Sequence, residues 1–227
     1  MATIRERHVK KLLTTIIAVA CWPLAAQAQS VQAWNEIKGE LAAALQAKGD
    51  PERGAMAFVP CQGCHRKDGS GKTSGAYPRL SGQHATVLMK QISDIRSGRR
   101  NNPKMEPYVE DHVADPADIA DIAVYLASLP VPEENGRGPG TTVAAGKTLY
   151  DRDCVQCHGA NGEGNNEKFY PMVAAQHYRY LLREMHYIRD GDRGNSNPDM
   201  VKVIKPYRDA DLEALADYMA YLRPPRK

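Results

Sequence analysis

Apolar residues recur at three- and four-residue spacing along two stretches of the chain, and the same faces return 93 positions later. Leu88, Ile92 and Ile95 form one face, matched by Leu181, Met185 and Ile188; Ile119, Ile122 and Leu126 form another, matched by Leu212, Leu215 and Met219. That period predicts amphipathic helices. Between them lie stretches rich in Gly, Asn and Pro, such as "KDGSGKTSGAYP" and "GANGEGNNEKFYP", and no segment alternates as a half-buried strand would. The fold class expected is all-α. Ahead of these faces, Trp34, Ile37, Leu41 and Leu45 line one side of a further predicted helix over "QAWNEIKGELAAALQAKG", in an N-terminal amphipathic segment at 29–50. It reads either as a helix packed on the first domain or as a docking helix or spacer toward a partner or membrane.

The repeat extends beyond the helices. Tyr77-Pro78 falls on Tyr170-Pro171 and Gln83-His84 on Gln176-His177; after a slip of two residues "NPKM" meets "NPDM". One unit has been duplicated. "LPVPEENGRGPGTT" between the copies has too many prolines and glycines for a helix and reads as a linker at 131–142, separating a domain at 51–130 from one at 143–227. Units of this size have thin apolar cores, and the whole chain has two Phe and two Trp, so something besides side chains is expected to fill them.

The chain opens with a basic stretch, a short apolar run and Ala26-Gln27-Ala28, the pattern of a secretory signal peptide over 1–28. "AVAC" ending at Cys21 also matches loosely a site of cleavage and lipid attachment, which would tether the protein to a membrane. Either reading implies export to the periplasm. Without residues 1–28 the chain has 26 basic and 26 acidic residues, so nothing argues for nucleic acid as a partner. No later apolar run is long enough to span a bilayer.

All four cysteines beyond the leader lie in "CQGCH", Cys61 to His65, and "CVQCH", Cys154 to His158. Cysteines in an exported chain suggest disulfides by default, and the histidine after each pair argues otherwise. Cys61 with Cys64, and Cys154 with Cys157, have the spacing for thioether bonds to the two vinyl groups of a haem, with His65 and His158 reaching the iron from one face. A zinc site would pool all four thiols, yet each pair occupies its own domain; a thioredoxin-like pair would come with alternating strands and helices. The sixth iron position is expected from the duplicated methionines Met105 and Met200, whose soft thioethers favour ferrous iron. The alternative ligands, His84 and His177, open predicted helices and read as helix-start or surface residues. Pro78 and Pro171 each follow the attachment histidine by 13 residues. They could aim a carbonyl at the imidazole N–H, or simply stiffen a loop.

These motifs, with "YPRLSGQH" and "YPMVAAQH", and "NNPKM" and "SNPDM", make the chain resemble the dihaem cytochromes c of the cytochrome c4 type, built of tandem class I cytochrome c domains. The resemblance implies that each domain wraps around one covalently bound haem c, and that the two haems sit near the domain interface. It implies that Gly54 with Phe58, and Gly146 with Tyr150, meet Tyr125 and Tyr218 where the first helix of each domain crosses its last. Its functional implication is a periplasmic carrier passing single electrons between a respiratory donor and an acceptor, such as a dehydrogenase and a terminal oxidase. The alternatives are a cytochrome subunit of a larger oxidoreductase, or a dihaem enzyme of peroxidase or thiosulfate-oxidising type. Ala174-Ala175 departs from the first unit's Ser81-Gly82. Arg96, Arg99, Arg100 and Lys104 before Met105, and Arg189 and Arg193 before Met200, read chiefly as a solvated loop, with one or two available to haem propionates.

Overall fold

The computed structural model describes residues 34–110 and 112–225. The expected signal peptide over 1–28 and Cys21 lie outside the described residues. Ten helices are present among them: α1 (Gly39–Gln46), α2 (Pro51–Ala57), α3 (Gln62–His65), α4 (Ala85–Arg96), α5 (Pro116–Ser128), α6 (Val143–Asp153), α7 (Val155–His158), α8 (Tyr178–Asp190), α9 (Pro198–Ile204) and α10 (Asp209–Tyr221). The described residues hold no strand, and Asn165 and Tyr170 form an isolated bridge.

Helix starts follow from local chemistry. The Asp50 carboxylate accepts from the backbone N–H groups of Glu52 (2.8 Å) and Arg53 (3.0 Å), and Pro51 takes the first helical position of α2. Asp115 and Asp118 form a reciprocal capping box ahead of α5, and Asn197 with Pro198 does a similar task for α9. α8 stops at Gly191, whose φ of 91° is left-handed.

Each unit is built on a crossing of its first helix with its last. α2 meets α5 and α6 meets α10, while α4 packs on α5 and α8 on α10. A Cβ on Gly54 would lie 2.1 Å from the Asp121 carbonyl oxygen, and one on Gly146 would lie 1.9 Å from that of Ala214. Both crossings therefore require glycine. The aromatic partners flank them: Phe58 and Tyr125 have ring centroids 5.9 Å apart, and Tyr150 and Tyr218 5.3 Å. Leu88, Ile119, Ile122 and Leu126 are buried in the first core, and Leu181, Met185, Leu212, Leu215 and Met219 in the second.

The N-terminal helix is shorter than its sequence pattern predicts. Gly39 has φ 52°, which breaks a right-handed helix at its start, so Trp34 precedes α1 in a turn and Ile37 is exposed. What remains packs on the first unit. Leu41 and Ala44 are buried against α4 and α5, in line with the reading of a helix packed on the first domain. The linker also differs from a free tether: Asn135 donates to the carbonyls of Gln176 and Ala220 (2.9 Å each), and Asp217 accepts from Gly140 (3.1 Å) and Thr142 (3.2 Å). These bonds fasten it to the second unit.

Candidate functional site

The first Cys of each motif lies at the N-terminal edge of a single helical turn, α3 or α7, and the second Cys and the His fall within it. This places thiols three positions apart on one side of the turn. All four cysteines are unpaired. Burial pushes the Cys61 thiol up to about 11 and the Cys154 thiol up to about 12, so both stay protonated before any thioether forms.

His65 and His158 are buried, 4% and 8% exposed. The Nδ1 of His65 lies 3.1 Å from the Pro78 carbonyl oxygen, and that of His158 lies 3.0 Å from the Pro171 oxygen. A carbonyl can only accept, so Nδ1 carries the proton and Nε2 keeps its lone pair. Burial holds both imidazoles below the usual histidine range, against a smaller opposing effect of the proline carbonyls. Each is a neutral, oriented base at pH 7.

Both lone pairs belong to residues that line one cavity of about 990 Å³ running through the two units. Its walls include Cys61, Cys64 and Met105 from the first unit and Cys154, Cys157 and Met200 from the second. That volume is at the upper end for ligand pockets, ~300–1,000 Å³. It is the space the thin cores leave unfilled. Apolar walls, paired thiols, neutral imidazoles and half-buried thioethers suit two covalent haems. Among the described residues no three His, Cys, Asp or Glu side chains converge to hold a bare ion.

The two units clamp each other through the other half of the repeat. Gln83 Nε2 donates to the Met172 carbonyl (3.0 Å) while its Oε1 accepts from the Met172 N–H (2.9 Å). Its copy Gln176 does the same to Arg79, at 2.9 Å both ways. His84 Nε2 meets the Glu163 carbonyl at 2.7 Å, and His177 Nε2 meets the Ser70 carbonyl at 2.9 Å. Each of these bonds has a mate 93 positions on, which is the mark of a pseudo-twofold axis. His84 and His177 do sit at helix starts, as expected, but they face the opposite unit. His177 is 2% exposed, so the surface role expected from sequence is corrected. Sequence reasoning missed this clamp; its visible trace was a duplicated Gln-His with no role inside either unit.

Residues 51–130 and 143–223 match the Cytochrome c family in tandem. The chain belongs to the cytochrome c family. Within it, the protein is a dihaem cytochrome of the c4 type and carries two covalently attached haem c groups. It is 32% identical to a "Thiosulfate dehydrogenase electron acceptor" of Stutzerimonas stutzeri (strain A1501), over 88% of this chain and 94% of that one. It is 30% identical to cytochrome c4 of Azotobacter vinelandii, over 76% of this chain and 89% of that one. The crystal structure of reduced recombinant cytochrome c4 from Pseudomonas stutzeri superposes with a TM-score of 0.70 at 28% identity, covering 78% of this chain and all of that one. The cytochrome is thus an electron-transfer protein. None of its helices among the described residues is long and apolar enough to cross a membrane.

The arginines of this cytochrome depart from expectation. Arg100 donates to Glu184 (3.0 Å) and Gln91 (2.9 Å); Arg193 donates to the same Glu184 oxygen (2.8 Å) and to Gln91 (3.0 Å). Asn195 reaches Asp94 at 2.7 Å, and Arg99 pairs with Asp94 at 2.8 Å. Rather than a solvated loop, Arg100 and Arg193 build a buried network across the interface. Arg193 lies 93 positions after Arg100 and Glu184 lies 93 after Gln91, so these bonds follow the repeat, whereas Asn195 comes from the stretch where the repeat slips by two residues. Arg79 is 1% exposed and donates to the carbonyls of Ala174 (2.8 Å), Ala175 (3.1 Å) and Ser81. Ala175 has φ 54° where the first unit has Gly82 at 72°, so the Ala-Ala departure retains the same left-handed turn.

Proposed function

We propose that this cytochrome is a periplasmic two-site carrier of single electrons. In this reading Cys61 and Cys64 hold one haem and Cys154 and Cys157 the other. His65 and His158 would each ligate a haem iron through Nε2, and Met105 and Met200 would each do so through sulfur. When bound, each haem supplies reversible one-electron exchange. The chain's own residues do the rest: the Pro78 and Pro171 carbonyls orient the imidazoles, the thioethers add neutral soft donors, and the apolar walls limit water. The observation that carries the reading is the pair of matching Nδ1-to-carbonyl bonds, which turns a neutral imidazole nitrogen toward the shared cavity in both units.

The relative named as an electron acceptor of thiosulfate dehydrogenase supports a dehydrogenase as donor here, and the partial match to a cbb3-type cytochrome c oxidase subunit supports a terminal oxidase as acceptor. The leader at 1–28 supports export. With both axial positions filled by protein, the cytochrome acts as a carrier and not as an enzyme. Mass spectrometry of the exported protein, followed by anaerobic redox titration with absorbance, tests this. Two added haems, two one-electron components and no carbon monoxide binding are expected. Fewer haems, or ready carbon monoxide binding in the as-isolated protein, would overturn it.

A further inference from the structure

The two haem sites share a repeated frame, so any difference between them must come from residues outside the repeat or unmatched within it. Tyr77 and Tyr170 are equivalent, each one residue before the proline whose carbonyl orients a histidine. What covers them differs. Over Tyr77 lies the exposed Lys72, its Nζ 4.9 Å from the ring centroid. Over Tyr170 lies Trp34, with ring centroids 6.3 Å apart and planes 10° from parallel. Trp34 belongs to neither copy. It sits before α1, which is seated in the core of the first unit, and its ring lies against the second unit.

Trp34 has a second neighbour. Lys90 is 2% exposed, is paired with Asp94 on α4, and places its Nζ 5.3 Å from the Trp34 centroid. Trp34 therefore bridges a buried cation of the first unit and an aromatic ring of the second, an arrangement favoured by cation–π and stacking interactions. It also forms part of the cavity wall together with Cys157, His158 and Tyr170.

We propose that Trp34 is a positioning residue that seals the second haem site and makes its reduction potential higher than it would otherwise be. The inference rests on the haem assignment above. Excluding water from one side of a site disfavours its more charged, oxidised state, and burial is among the protein's means of setting a haem potential. Among the described residues the first site has a solvated lysine in the corresponding place and no matching aromatic cover.

The test is an anaerobic redox titration of the exported holoprotein and of Trp34→Ala, with haem content measured by mass. One of the two components is expected to become three- to tenfold less reduced at a fixed potential, a negative shift of about 28–59 mV at 59 mV per tenfold for one electron. The other component should stay in place. Met200→His and Met105→His, each replacing one proposed sulfur ligand, assign the components. The Trp34→Ala shift must fall on the component that Met200→His displaces. Trp34→Phe, which retains a ring, should titrate as wild type; if Trp34→Ala fails to fold, Tyr170→Leu removes the other half of the stack and should move the same component. Equal movement of both components, movement of the Met105 component, or no movement would overturn the proposal. A haem count below two would instead overturn the haem assignment.

Discussion

Replacement of Gln83 by alanine tests the interdomain clamp. The side-chain amide satisfies both backbone groups of Met172, and its Oε1 also accepts from the His84 N–H at 3.0 Å. Gln83 and Met172 are 7% and 6% exposed, so water cannot readily replace the amide. A buried polar group left without a partner costs about 1–3 kcal/mol, and Gln83→Ala strands two on the far side of the interface. With partial water entry, about 2–4 kcal/mol is expected. For a chain of this size about 1 kcal/mol moves Tm by ~2–4 °C, which gives a fall of roughly 4–16 °C. Thermal unfolding of the holoprotein, followed by helical circular dichroism, measures it, and Gln176→Ala should behave alike because the bonds are repeated around Arg79. Gln83→Glu discriminates the mechanism: a carboxylate accepts from the Met172 N–H but cannot donate to its carbonyl, so its cost should match or exceed that of alanine. If Gln83→Ala and Gln176→Ala both unfold at the wild-type temperature, the clamp contributes nothing and the interface argument fails.

Gly146→Ala, which improves helix propensity by about 1 kcal/mol in isolation, should nonetheless destabilise by about 1–3 kcal/mol in urea unfolding. Its Cβ would lie 1.9 Å from the Ala214 carbonyl oxygen, forcing α6 and α10 apart. Glu184 is held ionised because Arg100, Arg193 and Arg183 outweigh the burial that pushes its carboxyl up, leaving it below the usual range. A depressed folded-state pKa contributes stability that is present above the ordinary glutamate value and is lost as pH falls through the lower folded value. Urea midpoints from pH 6 downward should therefore fall less steeply below about pH 4.5 in Glu184→Gln than in wild type, as the ordinary glutamate value predicts. Met200→Leu should lower one reduction potential and admit carbon monoxide at one haem, read by absorbance; an unchanged spectrum would exclude Met200 as a ligand.

Local spacing within the chain carries much of this protein. The three- and four-residue period, the duplicated Cys-x-x-Cys-His and the tandem Tyr-Pro each state something about one helix or one turn, where neighbours in sequence are neighbours in space. Fold class, duplication and cofactor were therefore legible before any coordinates. The N-terminal helix was overextended because an apolar face registers burial without naming its cover: Leu41 is buried by α4 and α5, while Trp34 is held by Tyr170.

The tertiary structure decided what the repeats do to each other. Gln83 and Met172 lie 89 positions apart, and His177 and Ser70 lie 107 apart, so no periodicity along one helix relates them. Which backbone a glutamine reaches, or whether an arginine meets water or a glutamate, depends on the angle at which two units pack. That angle is a property of the assembled surfaces. The amino-acid order determined two copies of a haem-binding unit; packing of one copy on the other turned Gln83, His84, Arg100 and their counterparts from surface residues into an interface, because each could bury its polar groups by pairing them with the other unit's backbone and charges.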